Sequence, residues 1–216
     1  MYSLGAGLER GFDVGIRVKL VNAVRRLYLR GFNSTFSGNV SVRSSYKNHF
    51  WITPRAYDKA SLTIDDLSLV DITTGNRIMG AEPSSEYRVH LEIYRVRDDV
   101  SAVIHTHQVY TMVAYKAGLL KRELLEESYE AKAYLGGISH IPRLEPGSWE
   151  LAKAVSQQLA DKKNVAVIMD GHGVVLIGGS IDEALNRAEI LEMEAMRLVN
   201  LALLGVIRID RAQGWG

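Results

Sequence analysis

The sequence predicts a mixed α/β domain with a largely antiparallel central sheet flanked by helices. Three observations carry this reading. Helix-patterned stretches stand at both ends of the 216-residue chain. Short strand-patterned runs crowd the middle, without the regular strand–helix alternation that marks a parallel sheet. No repeat, low-complexity tract or linker-like stretch interrupts the chain, so residues 1–216 read as one domain with one substantial core.

From Asp13 to Arg30, Ile16, Leu20, Val24 and Leu27 recur at helical spacing, and Gly31 is placed as a stop. GFNSTFSGNVSVR then turns small and polar before Val40 and Val42 alternate, which is a loop feeding a strand. FWITP is a second short strand ended by Pro54. SLTIDDLSLVDITTGNRIMG reads as a helical turn, a strand and a hairpin at Thr74-Gly75-Asn76. Ser84 or Ser85 is expected to cap a helix whose inner face is Tyr87, His90, Leu91 and Tyr94. VSAVIHTH is the strongest central strand, followed by a helix from Tyr110 to Gly118. GSWELAKAVSQQLA is an amphipathic helix, NVAVIMD an apolar strand, and GHGVVLIGG a turn leading into another strand. Ser180 and Glu183 form a capping box that opens a long helix through about Leu204.

The totals exclude several classes of function. A net charge of +1 gives no electrostatic footprint for a polyanion partner, and no basic–aromatic interleaving suggests nucleic acid. With no cysteine, disulfides and thiolate metal sites are ruled out, which leaves histidine and carboxylate as ligands. No apolar run reaches the roughly 20 residues of a membrane span. MYSLGAGLERGF lacks the pattern of a signal peptide, so a cytoplasmic location is expected.

Side chains at i and i+2 of a strand share a face, so His105 and His107 of VIHTH project side by side. Alone, such a pair reads more readily as half-exposed polar residues at a strand end. His172 adds to it. In DGHGVV it stands between Gly171 and Gly173, where a permissive backbone leaves room for something to approach the imidazole. Three histidines match the protein ligand count of a catalytic zinc with an open position. Glu86 of EPSSEYRVH supplies a carboxylate at a helix start, where the helix dipole alone would also favour it. Ser84 and Ser85 add hydroxyls to free N–H groups there, a combination that suits a phosphate. Ser37, Gly38 and Asn39 offer a similar array, although SGN is also an ordinary turn into a strand. His90 reads as a satisfied core histidine, and His49 and His140 as loop residues.

Taken in order, GFNSTFSGNVSVR, WITP with Tyr57 and Lys59 after it, PSSEYRVH, VIHTHQVY and GHGVVLIGG resemble the class II aldolase/adducin family over about residues 13 to 203. The resemblance implies a Zn2+ held by His105, His107 and His172, with Glu86 as the catalytic base and a possible resting-state ligand. It also implies phosphate binding by Asn39, Ser84 and Ser85 within the SGN and SSE motifs, with Ser37 and Gly38 beside them. The reaction expected of the aldolase branch is cleavage or formation of a ketose 1-phosphate through a metal-stabilised enediolate. L-fuculose 1-phosphate, split into dihydroxyacetone phosphate and lactaldehyde, is the expected substrate. Members are typically homotetramers with the site between subunits. A neighbouring subunit supplies the acid, and SYEAKAYLGG offers Tyr129 by chemistry and Glu130 by position. Two departures stand out: Arg55-Ala56 replaces a small hydroxyl residue and a glycine, with Arg55 a candidate phosphate ligand, and the tail RIDRAQGWG is short. The alternatives are a pentulose-5-phosphate 4-epimerase, whose branch carries aspartate in place of Glu86, a methylthioribulose-phosphate dehydratase, and a non-catalytic adducin-like head, which should lack the three histidines.

Overall fold

The computed structural model describes residues 12–208; the N-terminal MYSLGAGLERG and nearly all of the RIDRAQGWG tail lie outside them. Within them, α1 (Val14–Leu29) precedes four strands, β1 (Asn39–Arg43), β2 (His49–Ile52), β3 (Ser68–Asp71) and β4 (Arg77–Met79). Next come α2 (Tyr87–Val96), β5 (Ala102–Thr106), α3 (Val109–Lys116), α4 (Arg122–Leu125) and α5 (Tyr129–Tyr134). The chain continues with β6 (Gly137–Ile141), α6 (Trp149–Ala160), β7 (Asn164–Met169), β8 (Gly173–Gly178) and α7 (Ile181–Leu203). The strands form a sheet ordered β4-β3-β2-β1-β5-β8-β7-β6. Its pairs are antiparallel except β6–β7, which are joined through α6 as a parallel crossover.

Period-two patterning splits the core into two layers. Val40, Val42, Ala102, Ile104, Val174 and Leu176 face one way, into a layer completed by α1 and α7. Val103, Val167, Val175 and Ile177 face the other way, against Leu91 and Ile93 of α2 and Leu151 and Val155 of α6. In β1 the same alternation sends Asn39 and Ser41 toward α2, so this strand is apolar on one side and polar on the other. A core built from both faces of one sheet therefore carries a polar seam where β1 and β5 meet α2.

The helix ends explain the remaining sequence patterns. Gly31 adopts φ +74°, and the Phe32 N–H returns to the Leu27 carbonyl at 3.0 Å, a left-handed closure of α1. The α2 cap differs from the serine cap expected from the sequence. Glu86 itself is the N-cap residue and offers no side-chain cap, because its carboxylate turns toward the histidines. Ser84 accepts the Glu86 N–H at 3.3 Å instead. At α7, Ser180 accepts the Glu183 N–H, but the Glu183 carboxylate reaches back one residue further, to the Gly179 N–H at 2.7 Å. His49 opens β2 and His140 lies in β6, so both belong to strands rather than loops. No described helix is long and apolar enough to cross a membrane.

Candidate metal centre

The two central strands bring the candidate residues together by register. Asn39 of β1 pairs with His105 of β5, and β5 pairs with β8, whose leading turn carries His172. His107 lies just past β5; its N–H is held by the Phe32 carbonyl at 3.0 Å and by Asn33 Oδ1 at 3.2 Å. The segment after it is fixed from α7. Glu192 accepts the N–H groups of Tyr110 and Thr111 at 2.9 and 2.8 Å and the Thr111 hydroxyl at 2.7 Å. A carboxylate thus seals the N-terminus of α3, where the helix dipole favours it. Gly173 is required by packing: a Cβ there would lie 2.4 Å from the Thr106 carbonyl oxygen and 2.9 Å from His105 Cε1.

One ligand nitrogen from each of His105, His107 and His172 falls within 4.8 Å of the others. The Glu86 carboxylate spans the group, with Oε2 3.1 Å from His105 Nε2 and Oε1 3.2 Å from His172 Nε2. His105 Nδ1 lies 3.1 Å from the Val174 carbonyl, which can only accept, so Nδ1 carries the proton. Its Nε2 lone pair then faces both the Glu86 carboxylate and, at 3.0 Å, His107 Nε2. A lone pair and a carboxylate oxygen turned on one another at 3.1 Å call for a positive charge between them. Glu86 Oε1 and His172 Nδ1 are buried without a hydrogen-bond partner. This donor set, three imidazoles and a carboxylate, fits a borderline divalent cation such as zinc. Burial alone would raise the Glu86 carboxyl, but positive charge at His105 and His172 outweighs it and holds the group well below the ordinary carboxylate range. Burial and the neighbouring imidazoles bring His107 down to about 4.

Glu86 is also held from behind. Asn39 Nδ2 donates to its Oε2 at 3.0 Å, while Asn39 Oδ1 lies 2.5 Å from His90 Nε2. His90 Nδ1 is 2.6 Å from Ser41 Oγ, which is 2.8 Å from the Tyr94 hydroxyl. Only one direction satisfies every member: Tyr94 donates to Ser41, Ser41 to His90, His90 to Asn39, and Asn39 to Glu86. Burial lowers His90 to about 3, so it stays the neutral imidazole that this chain of donors needs. His90 is therefore a satisfied core histidine, as its position on the α2 face predicts. What sequence reasoning missed is its link to Asn39; the signal was the period-two alternation of NVS, which puts Asn39 and Ser41 on one face of β1.

Above the carboxylate a cavity of about 310 Å³ is lined by Ser37, Gly38, Asn39, Ser84, Ser85 and Glu86, with His107 and His172 at its base. Arg55 lines it too, from an exposed position, and Ala56 takes a left-handed φ of 51° where the resemblance expects glycine. Lys59, quoted in the sequence pattern but given no role there, is a further lining residue. Tyr129 and Glu130 stand apart from this cavity on α5, with Tyr129 93% exposed.

Residues 18–199 match the family described as the class II aldolase and adducin N-terminal domain. The chain belongs to that family. It is 35% identical to an L-fuculose phosphate aldolase of Methanococcus maripaludis over 81% of this chain and 91% of that one. Similarity also extends to a methylthioribulose-1-phosphate dehydratase of an Enterobacter species, 30% identical over 80% of this chain and 88% of the relative. A 3-oxo-tetronate 4-phosphate decarboxylase of Haemophilus influenzae is 29% identical, over 85% and 86%. The crystal structure of an L-fuculose-1-phosphate aldolase from Thermus thermophilus superposes with a TM-score of 0.74, at 27% identity, covering 89% of this chain and 97% of that one. With this membership, the chain is an enzyme of the metal-dependent class II aldolase type.

Proposed function

We propose that the chain, as one domain over residues 1–216, is a zinc-dependent aldolase that cleaves and forms a ketose 1-phosphate. L-fuculose 1-phosphate, yielding dihydroxyacetone phosphate and lactaldehyde, is the leading substrate. The observation that carries this reading is the closed set of His105, His107, His172 and Glu86 beneath a cavity whose rim is small and hydroxyl-rich. The three histidines would hold the metal, which when bound would supply a Lewis acid that polarises the carbonyl and offsets developing negative charge. Glu86 moves the carbon-bound proton from its site beside the histidines, held ready by the donor chain from Asn39. Ser84, Ser85 and Asn39, with Ser37 and Gly38 beside them, orient the phosphate end. Tyr129 or Glu130 of a second copy donates the proton to the aldehyde oxygen, in a homotetramer whose sites lie between subunits. The location proposed is cytoplasmic.

A dehydratase or decarboxylase acting on a related sugar phosphate is the second reading, favoured by the relatives of those names. A pentulose-5-phosphate 4-epimerase is less well supported, because Glu86 stands where that branch carries aspartate. A non-catalytic head is disfavoured by the intact histidine set. The deciding experiment incubates metal-stripped and zinc-reloaded protein with L-fuculose 1-phosphate and follows dihydroxyacetone phosphate release. Zinc-restored cleavage is expected. Metal-replete protein that leaves the sugar intact, but turns over the dehydratase or decarboxylase substrates, would shift the assignment to the second reading.

A further inference from the structure

Two side chains lining the cavity carry a basic charge, and they are placed oppositely. Arg55 is exposed, whereas Lys59 is only 2% exposed. The Lys59 N–H is tied to the Thr35 carbonyl at 3.2 Å, which docks its segment against the loop leading to Ser37 and Gly38. Its ammonium has three N–H donors but makes a single long bond, 3.3 Å, to the Tyr57 carbonyl of its own turn. Among the described residues, no carboxylate lies within ion-pair distance of it. Asp58, the nearest acidic residue in sequence, is engaged by the Ala60 N–H at 2.9 Å and the Ser61 hydroxyl at 3.2 Å.

An ammonium buried this way is costly unless an anion shares its site. We propose that Lys59 is the charged anchor for the anionic end of the substrate, a phosphate monoester dianion bound in the cavity it shares with Ser84, Ser85 and Asn39. The inference rests on the phosphate reading of that cavity and goes beyond it by assigning the charge. Phosphate is favoured over carboxylate because the donors around the cavity outnumber what two carboxylate oxygens accept. Two serine hydroxyls, the amides of the Ser37-Gly38 loop and the two ammonium N–H groups not given to Tyr57 suit three terminal oxygens and a double charge. Burial also lowers the Lys59 pKa, partly offset by Asp58, as expected of a cation waiting for its counterion. Arg55, which replaces the family's small hydroxyl residue, is then a rim contact, and the phosphate charge is carried from beneath.

The test is titration calorimetry of zinc-loaded protein with inorganic phosphate, comparing wild type, Lys59→Met and Arg55→Met, with acetate as the competing anion. Lys59→Met is expected to weaken phosphate binding at least tenfold with metal content unchanged, and Arg55→Met to change it less than threefold. Without phosphate, Lys59→Met should also unfold at a higher temperature than wild type, an outcome opposite to that of a lysine serving only structure. Lys59→Gln gives the same comparison if the methionine variant does not fold. Phosphate bound equally by wild type and the lysine variants would overturn the inference while leaving the phosphate site standing. Wild-type protein that binds acetate in preference to phosphate, or neither anion, would overturn the inference together with the phosphate reading.

Discussion

Glu86 and the histidines touch one another, yet the proposed function gives them different work, and single substitutions should separate them. Removing one imidazole takes away a third of the nitrogen ligands, so His107→Ala is expected to lose zinc, read by elemental analysis, while keeping a native circular dichroism spectrum. Glu86→Gln preserves shape and should retain the metal. If Glu86 is the proposed base, turnover should fall by about 10²–10⁴, seen as a drop in kcat under metal saturation. His90 makes a prediction about stability rather than rate. Its folded pKa lies near 3, below the ordinary value of 6.5, so the unfolded chain binds the extra proton first as pH falls. The stability it contributes is complete above 6.5 and is lost between 6.5 and 3, at about 1.4 kcal/mol per pH unit. Denaturant titrations of metal-free protein across that range should show a shallower pH slope in His90→Gln than in wild type. Equal slopes would mean that His90 is not the buried neutral group described above.

The sheet seam shows which elements can be read from sequence. β5 and β8 are legible because their apolar runs are uninterrupted and buried on both faces, and because the His105/His107 spacing matches the strand period. β6 is not, because Gly137, Ile138, Ser139 and His140 mix residue types, and its partner β7 arrives only after α6. The α2 start is half legible. Its apolar face is plain, but a pattern of serines before a glutamate reads as a cap, whereas tertiary contacts draw that glutamate to the histidines. Lys59 is illegible for a related reason, since lysine in a turn is ordinarily solvated and only the fold buries it. Gly173 tests the seam directly. A methyl group there would meet the Thr106 carbonyl and the His105 ring. Gly173→Ala should therefore prise β8 from β5 at the metal centre, weakening zinc binding at least tenfold in chelator competition. A variant with wild-type affinity would show that the strands shift without disturbing the histidines.

At the scale of the whole molecule, the proposed chemistry takes its proton donor from residues outside the cavity. Tyr129 and Glu130 lie on α5, away from the cavity lining, and Tyr129 is almost wholly exposed. Val109, Tyr110 and Val113 of α3, with Met193 and Met196 of α7, leave further apolar surface exposed. Both features fit an assembly in which one copy completes the site of the next. Such sharing predicts complementation. Glu86→Gln protein lacks the base but keeps the donor, and a Tyr129→Phe/Glu130→Gln double variant has the reverse defect. Each should be nearly inactive alone. Unfolded together in equal amounts and refolded, they should regain activity, because random closed assembly pairs an intact base with an intact neighbour in about a quarter of sites. Light scattering on the same mixture would give the number of copies over which the pairing is averaged. Mixed protein no more active than its parents would place the donor within the same chain, or outside this pair of residues.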